Sequence, residues 1–90
     1  MSRKEKVSSV IDGDTFKTGS RNNSIRLANV NAPEKGTPGA AQATRTLRDI
    51  IAGEVVSVET VARDKYGRSV ATVKVGNRSV NAAMRRKGYK

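Results

Sequence analysis

NAPEKGTPGAAQATRTLRDIIAG, residues 31–53, decides the fold, because strand-like sequence gives way there to a helix and then resumes. The first nine residues are rich in Pro and Gly and read as a loop. From Pro38 to Ala52 the pattern turns helical: Ala40, Ala43, Leu47, Ile50 and Ile51 fall on one face. Thr37 is placed to N-cap this helix and Pro38 suits its first turn. Gly53 is placed to close it in a left-handed conformation.

Upstream lie three strand signals. KVSSVI (residues 6–11) runs into DGDT, an Asp-Gly hairpin turn, and TFKTG returns from it. RNNS makes a second turn, and SIRLANV (residues 24–30) alternates imperfectly through Ile25, Leu27 and Val30. Downstream, EVVSVETVA (residues 54–62) and SVATVKV (residues 69–75) read as strands joined by the turn RDKYGR. Ser79 is placed to cap a short helix through Lys87, with Gly88 beyond it. Three strands, a helix, two strands and a helix predict a mainly β fold with two helices (α+β). The expected architecture is a five-stranded OB-type barrel with one helix between strands 3 and 4 and a short C-terminal one. At 90 residues the chain is expected to be one domain, residues 1–90.

Composition narrows the chemistry. Lys and Arg number 18 against 8 Asp and Glu, a net charge of +10, which draws polyanions and nucleic acid first among them. Cysteine and histidine are both absent, which excludes disulfides, thiolate nucleophiles and imidazole bases. Catalysis by this chain therefore rests on carboxylates, Arg, Lys, Tyr or a cation held by oxygen. Phe16, Tyr66 and Tyr89 are the whole aromatic complement, few for stacking bases. No apolar run is long enough to cross a membrane, so no membrane partner is expected. The start, MSRKEKVSSV, lacks the apolar centre of a signal peptide. The expected location is cytoplasmic for the chain as it stands, and secreted if a leader has been removed.

Three polar clusters sit at strand ends: Asp12-Gly13-Asp14-Thr15; Asn31-Ala32-Pro33-Glu34, with Arg26 on the strand before it; and residues 63–68 around DKYGR. Singly, each also reads as a plain turn or loop. Together they fit phosphodiester cleavage. Asp14 and the Asn31-Ala32 loop offer oxygen ligands to a hard cation such as calcium. Arg26 and Arg68 offer planar forks for a phosphate, and Glu34 a base or anchor for water.

VIDGDT, IRLANVNAPE, the GAAQA…LRDII helix, DKYGR and VNAAMRRKG occur in an order and at spacings that resemble the thermonuclease (staphylococcal nuclease-like) family. The resemblance covers roughly residues 7 to 89 and ends before that family's C-terminal helix. It implies the OB barrel and calcium-dependent hydrolysis of DNA and RNA with little sequence preference. It further implies that Asp14, Asn31 and Ala32 hold the calcium ion and that Arg26, Glu34 and Arg68 are catalytic. Lys65 and Tyr66 match residues on a neighbouring phosphate, and Asp12 an aspartate close to the metal, although turn chemistry accounts for Asp12 nearly as well. Asn31 stands where the family usually has aspartate, and Ala32 where it has threonine. The loss of a ligand charge predicts weaker calcium binding. The alternative is a catalytically weak or inactive barrel that binds nucleic acid; a partner-binding scaffold is a third class, against which Glu34 counts. A monomer is expected, or a homodimer if the missing helix leaves an apolar face.

Overall fold

The computed structural model describes residues 3–90. Its elements are β1 (Arg3–Asp12), β2 (Thr15–Thr18), β3 (Ile25–Leu27), α1 (Ala40–Ile51), β4 (Val55–Arg63), β5 (Ser69–Val75), β6 (Arg78–Ser79) and α2 (Val80–Arg86). Strands β3, β2, β1, β4 and β5 are neighbours in that order, and a β3–β5 pairing closes them into a five-stranded mixed barrel. The closing pair is parallel and the other pairs are antiparallel. The expected barrel and both helices are therefore present. A two-residue strand, β6, paired with the end of β5, is an addition that sequence alone did not signal.

Alternation builds the interior. Ile25 and Leu27 of β3, Val56 and Val58 of β4, and Ala71 and Val73 of β5 point inward, joined by Phe16, Leu47, Ile51, Val80 and Met84. Fully burying one of these larger side chains contributes about 1.5–3 kcal/mol. Strand β1 sets Glu5 and Val7 inward in the same way, so a carboxylate only 4% exposed stands at one end of the barrel. Arg21 answers it with two hydrogen bonds from Nε, at 2.7 and 2.9 Å, and one from Nη2. Thr18 and Ser20 donate their hydroxyls to the same carboxylate, and Arg21 donates to Ser69 at the start of β5. This network ties β1, the β2–β3 turn and β5 together.

The apolar stripe read for α1 is the one buried: Ala40, Ala43, Leu47 and Ile51, with Ile50 partly covered. The N-terminus differs. The helix starts at Ala40, two residues late, and Gly39 (φ 85°) is its N-cap. Thr37 instead donates its hydroxyl to the Glu34 carbonyl and closes a turn of the preceding loop. Gly53 (φ 73°) follows the helix as expected. Strand β3 ends three residues earlier than the pattern indicated, because Asn29 at φ 61° breaks the extended chain. Ser79 caps α2, accepting from Ala82 N–H at 3.1 Å. Asn81 fastens that helix to β5, accepting from Val73 N–H and donating to the carbonyls of Ala28 and Ala71.

Candidate active site

Strand register gathers the three polar clusters. Thr15 of β2 pairs with Arg26 of β3, so Asp14 stands beside Arg26, and Leu27 N–H donates to the Asp14 carbonyl at 2.8 Å. Barrel closure pairs Ile25 with Ser69, which brings Arg68 to the same rim. Arg26 sits between inward-facing Ile25 and Leu27, so its own side chain faces out. The result is a cleft of about 380 Å³ lined by Asp12, Asp14, Arg26, Asn31, Ala32 and Glu34, with Arg68, Tyr66, Pro33 and Lys35 completing the rim.

Gly13 makes the aspartate corner possible. A β-carbon there would lie 2.6 Å from the β-carbons of both Ala32 and Ala43. The hairpin turn read from DGDT is present, but φ at Gly13 is not positive, so its glycine serves close approach to the loop and to α1. Asp12 Oδ1 accepts from Asp14 N–H at 3.0 Å, the Asx-type turn contact, while Asp12 also lines the cleft.

Asp14 is buried, and both of its carboxylate oxygens accept hydrogen bonds. Thr15 hydroxyl donates to Oδ1 at 2.9 Å; Ala32 N–H, at 3.2 Å, and Arg26 Nη2, at 3.4 Å, donate to Oδ2. Burial pushes its carboxyl up, but hydrogen bonding with Asp12, Ala32 N–H and Thr15 and the charge of Arg26 outweigh it, leaving Asp14 below the ordinary carboxylate value. Asp12 moves the other way, raised by burial and by its contact with Asp14. Arg26 Nη2 also donates to Asn31 Oδ1 at 2.9 Å, and Nη1 to the Leu27 carbonyl at 3.1 Å. Glu34 is exposed, and its carboxylate takes no hydrogen-bond or ion-pair partner among the described residues.

On the opposite wall, the β4–β5 turn presents Arg68. Asp64 shapes this turn: it accepts from the N–H groups of Tyr66 and Arg68 at 3.0 and 2.9 Å, and from Arg68 Nε. Desolvation raises Asp64, and these hydrogen bonds more than offset it, so its carboxyl lies below the usual value. The Tyr66 ring has Lys65 Nζ 5.2 Å and Arg68 Cζ 5.3 Å from its centroid. Lys65 does not line the cleft; its Nζ lies over the ring of Tyr66, which does. Lys35, Asp64 and Gly13 belong to the site's construction; the sequence marks Gly13 and Asp64 only as members of turn clusters and does not single out Lys35. The sequence NAPEK places Lys35 next to Glu34, which was a usable signal.

Among the described residues, no group of three or more His, Cys, Asp or Glu converges as a metal cluster. The donors present in the cleft are the carboxylates of Asp12, Asp14 and Glu34 and the amide of Asn31. This all-oxygen set fits a hard cation in chemical type.

The chain matches the staphylococcal nuclease homologue family over residues 24–90. An uncharacterized endonuclease of Escherichia coli O157:H7 is 36% identical over 70 residues, 76% of this chain and 46% of that protein. Another, of Haemophilus influenzae, is 29% identical over 86 residues, 92% of this chain and 48% of its own length. A probable endonuclease of Colletotrichum graminicola is 42% identical over 57 residues, covering 57% of this chain and 21% of that protein. The chain spans just under half the length of the two bacterial relatives. With the family match running through β3, both helices and the Arg26, Glu34 and Arg68 positions, the chain belongs to the staphylococcal nuclease homologue family.

Proposed function

We propose that the cleft is the active site of a calcium-dependent nuclease that hydrolyses phosphodiester bonds of DNA and RNA with little sequence preference. The observation that carries this reading is the convergence of two arginines and an unpartnered carboxylate on one cleft, in a chain of net charge +10. Asp14, the Asn31 side chain and the Ala32 carbonyl would hold the calcium ion, with Asp12 keeping that corner negative. The ion would supply a positive charge to offset the charge building on the phosphate oxygens.

The chain's own residues carry the rest. Arg26 and Arg68 hold the non-bridging oxygens of the scissile phosphate with their planar forks. Arg26 is held in place by Asp14, Asn31 and the Leu27 carbonyl, and Arg68 by Asp64. Glu34 holds a water and accepts its proton as the water oxygen bonds to phosphorus and the opposite P–O ester bond breaks, the leaving oxygen taking a proton from solvent water. Tyr66, and Lys65 beside it, would contact a neighbouring phosphate of the substrate. The test is hydrolysis of heat-denatured DNA and of RNA with calcium, with magnesium and with a chelator. Cleavage with calcium and none with chelator supports the reading; cleavage that survives the chelator overturns the metal dependence.

The neutral Asn31 favours a second reading, a barrel that binds nucleic acid without cutting it, because one ligand charge is lost. Retarded DNA on a gel with no cleavage at any metal concentration is the outcome that selects it.

A further inference from the structure

A second groove lies beside the cleft. It measures about 440 Å³ and follows the seam between β1 and α1, with Val10, Ile11 and Ala40 in its wall and Lys35, Arg45 and Arg48 as its cations. Lys35 lines both this groove and the cleft, so the two meet at its side chain. A smaller groove of about 250 Å³ shares Val10 and Arg48 with it and continues to the end of α1. Among the described residues, no acidic side chain lines either groove.

Arg21, Arg26 and Arg68 are each engaged by a carboxylate. Lys35, Arg45 and Arg48 are exposed, and their side chains have no hydrogen-bond or ion-pair partner among the described residues. Arg45 and Arg48 stand one helical turn apart, with β-carbons about 5–6 Å from one another. A row of unneutralised cations along an apolar wall matches a phosphodiester backbone in charge and in extended shape.

We propose that a polynucleotide seated in the cleft leaves it across Lys35 and follows the β1–α1 seam, with Arg45 and Arg48 on its phosphates. This extends the nuclease reading and rests on it for the identity of the ligand. The seam has no aromatic ring, so it grips by charge and adds no base preference.

The test compares the protein with its Arg45→Gln/Arg48→Gln variant. Both side chains are exposed and glutamine is a good helix former, so α1 is expected to persist, as circular dichroism will show. Binding of a labelled single-stranded dodecanucleotide is followed by fluorescence anisotropy in chelator, across a range of salt. Losing two phosphate contacts lowers the slope of log K against log salt by about 1.4, or about 25-fold in affinity near 0.1 M salt. Hydrolysis of a dinucleotide substrate, too short to reach α1, is expected to be unchanged. Equal slopes and affinities for the two proteins overturn the track and leave the nuclease reading standing. A shallower slope in the variant, in a protein that never cuts, keeps the track and removes the nuclease reading.

Discussion

Glu5→Gln removes the charge from the most buried carboxylate of the described chain while keeping its shape. The donors from Arg21, Thr18 and Ser20 outweigh burial and draw the Glu5 carboxyl from 4.5 down to about 2. Because the folded value is depressed, the stabilisation is complete above the unfolded value and is lost as pH falls towards the folded one. Two and a half units at 1.36 kcal/mol each correspond to about 3 kcal/mol at neutral pH, of which about 2 kcal/mol is gone by about pH 3. The cost of breaking a buried ion pair, about 3–5 kcal/mol, points the same way. The low end applies here, since the Arg21 side chain is 16% exposed and regains some water. The assay is urea unfolding of both proteins at about pH 7 and about pH 3. Taking the difference between them cancels the other carboxylates. The variant is expected to be less stable by about 2–3 kcal/mol at neutral pH, with the gap narrowing by about 2 kcal/mol in acid. A gap that does not change with pH, or one below about 0.5 kcal/mol, refutes the assignment of Glu5 as the charged clamp of the barrel end.

Gly13→Ala forces a methyl group to 2.6 Å from two others and is expected to cost about 1–3 kcal/mol in thermal unfolding, partly restored by adding Ala43→Gly; a variant as stable as the parent shows that the corner is not tight. Asp64→Asn keeps the turn but weakens the hold on Arg68 Nε, so kcat is expected to fall about tenfold or more with little change in the unfolding midpoint, and an unchanged kcat removes Asp64 as a positioning residue. Arg26→Lys keeps the charge and loses the fork that reaches Asp14, Asn31 and the Leu27 carbonyl together; turnover equal to that of the parent defeats its assignment as a phosphate clamp.

The contrast between Leu47 and Glu5 explains what the sequence could reveal. Leu47 announces its burial through neighbours three and four positions away, so the stripe on α1 and the alternation of β5 were both readable. Glu5 meets Arg21 across 16 positions, and only barrel register brings them together. A carboxylate in a run of Lys and Arg gives no hint that it faces inward. Gly13 is similar: its turn was legible, but its need for a bare α-carbon comes from Ala32 and Ala43. That Asp14, Arg26, Asn31, Glu34 and Arg68 would share one cleft was legible because phosphodiester chemistry calls for distinctive side chains, and because the ordered motifs resemble a family. How Arg68 is held was not, since Asp64 reads as an ordinary turn aspartate. Thr37 had the chemistry of an N-cap, yet its hydroxyl is taken by the Glu34 carbonyl and the helix begins after Gly39.

The most direct test of the central claim is the calcium-dependent turnover of denatured DNA by Glu34→Gln beside the parent protein. Glu34 is exposed and unpartnered, so the substitution is expected to leave folding intact and to lower kcat by about a hundredfold or more. Equal turnover in the two proteins, with calcium dependence retained, would contradict Glu34 as the group that takes the proton from water.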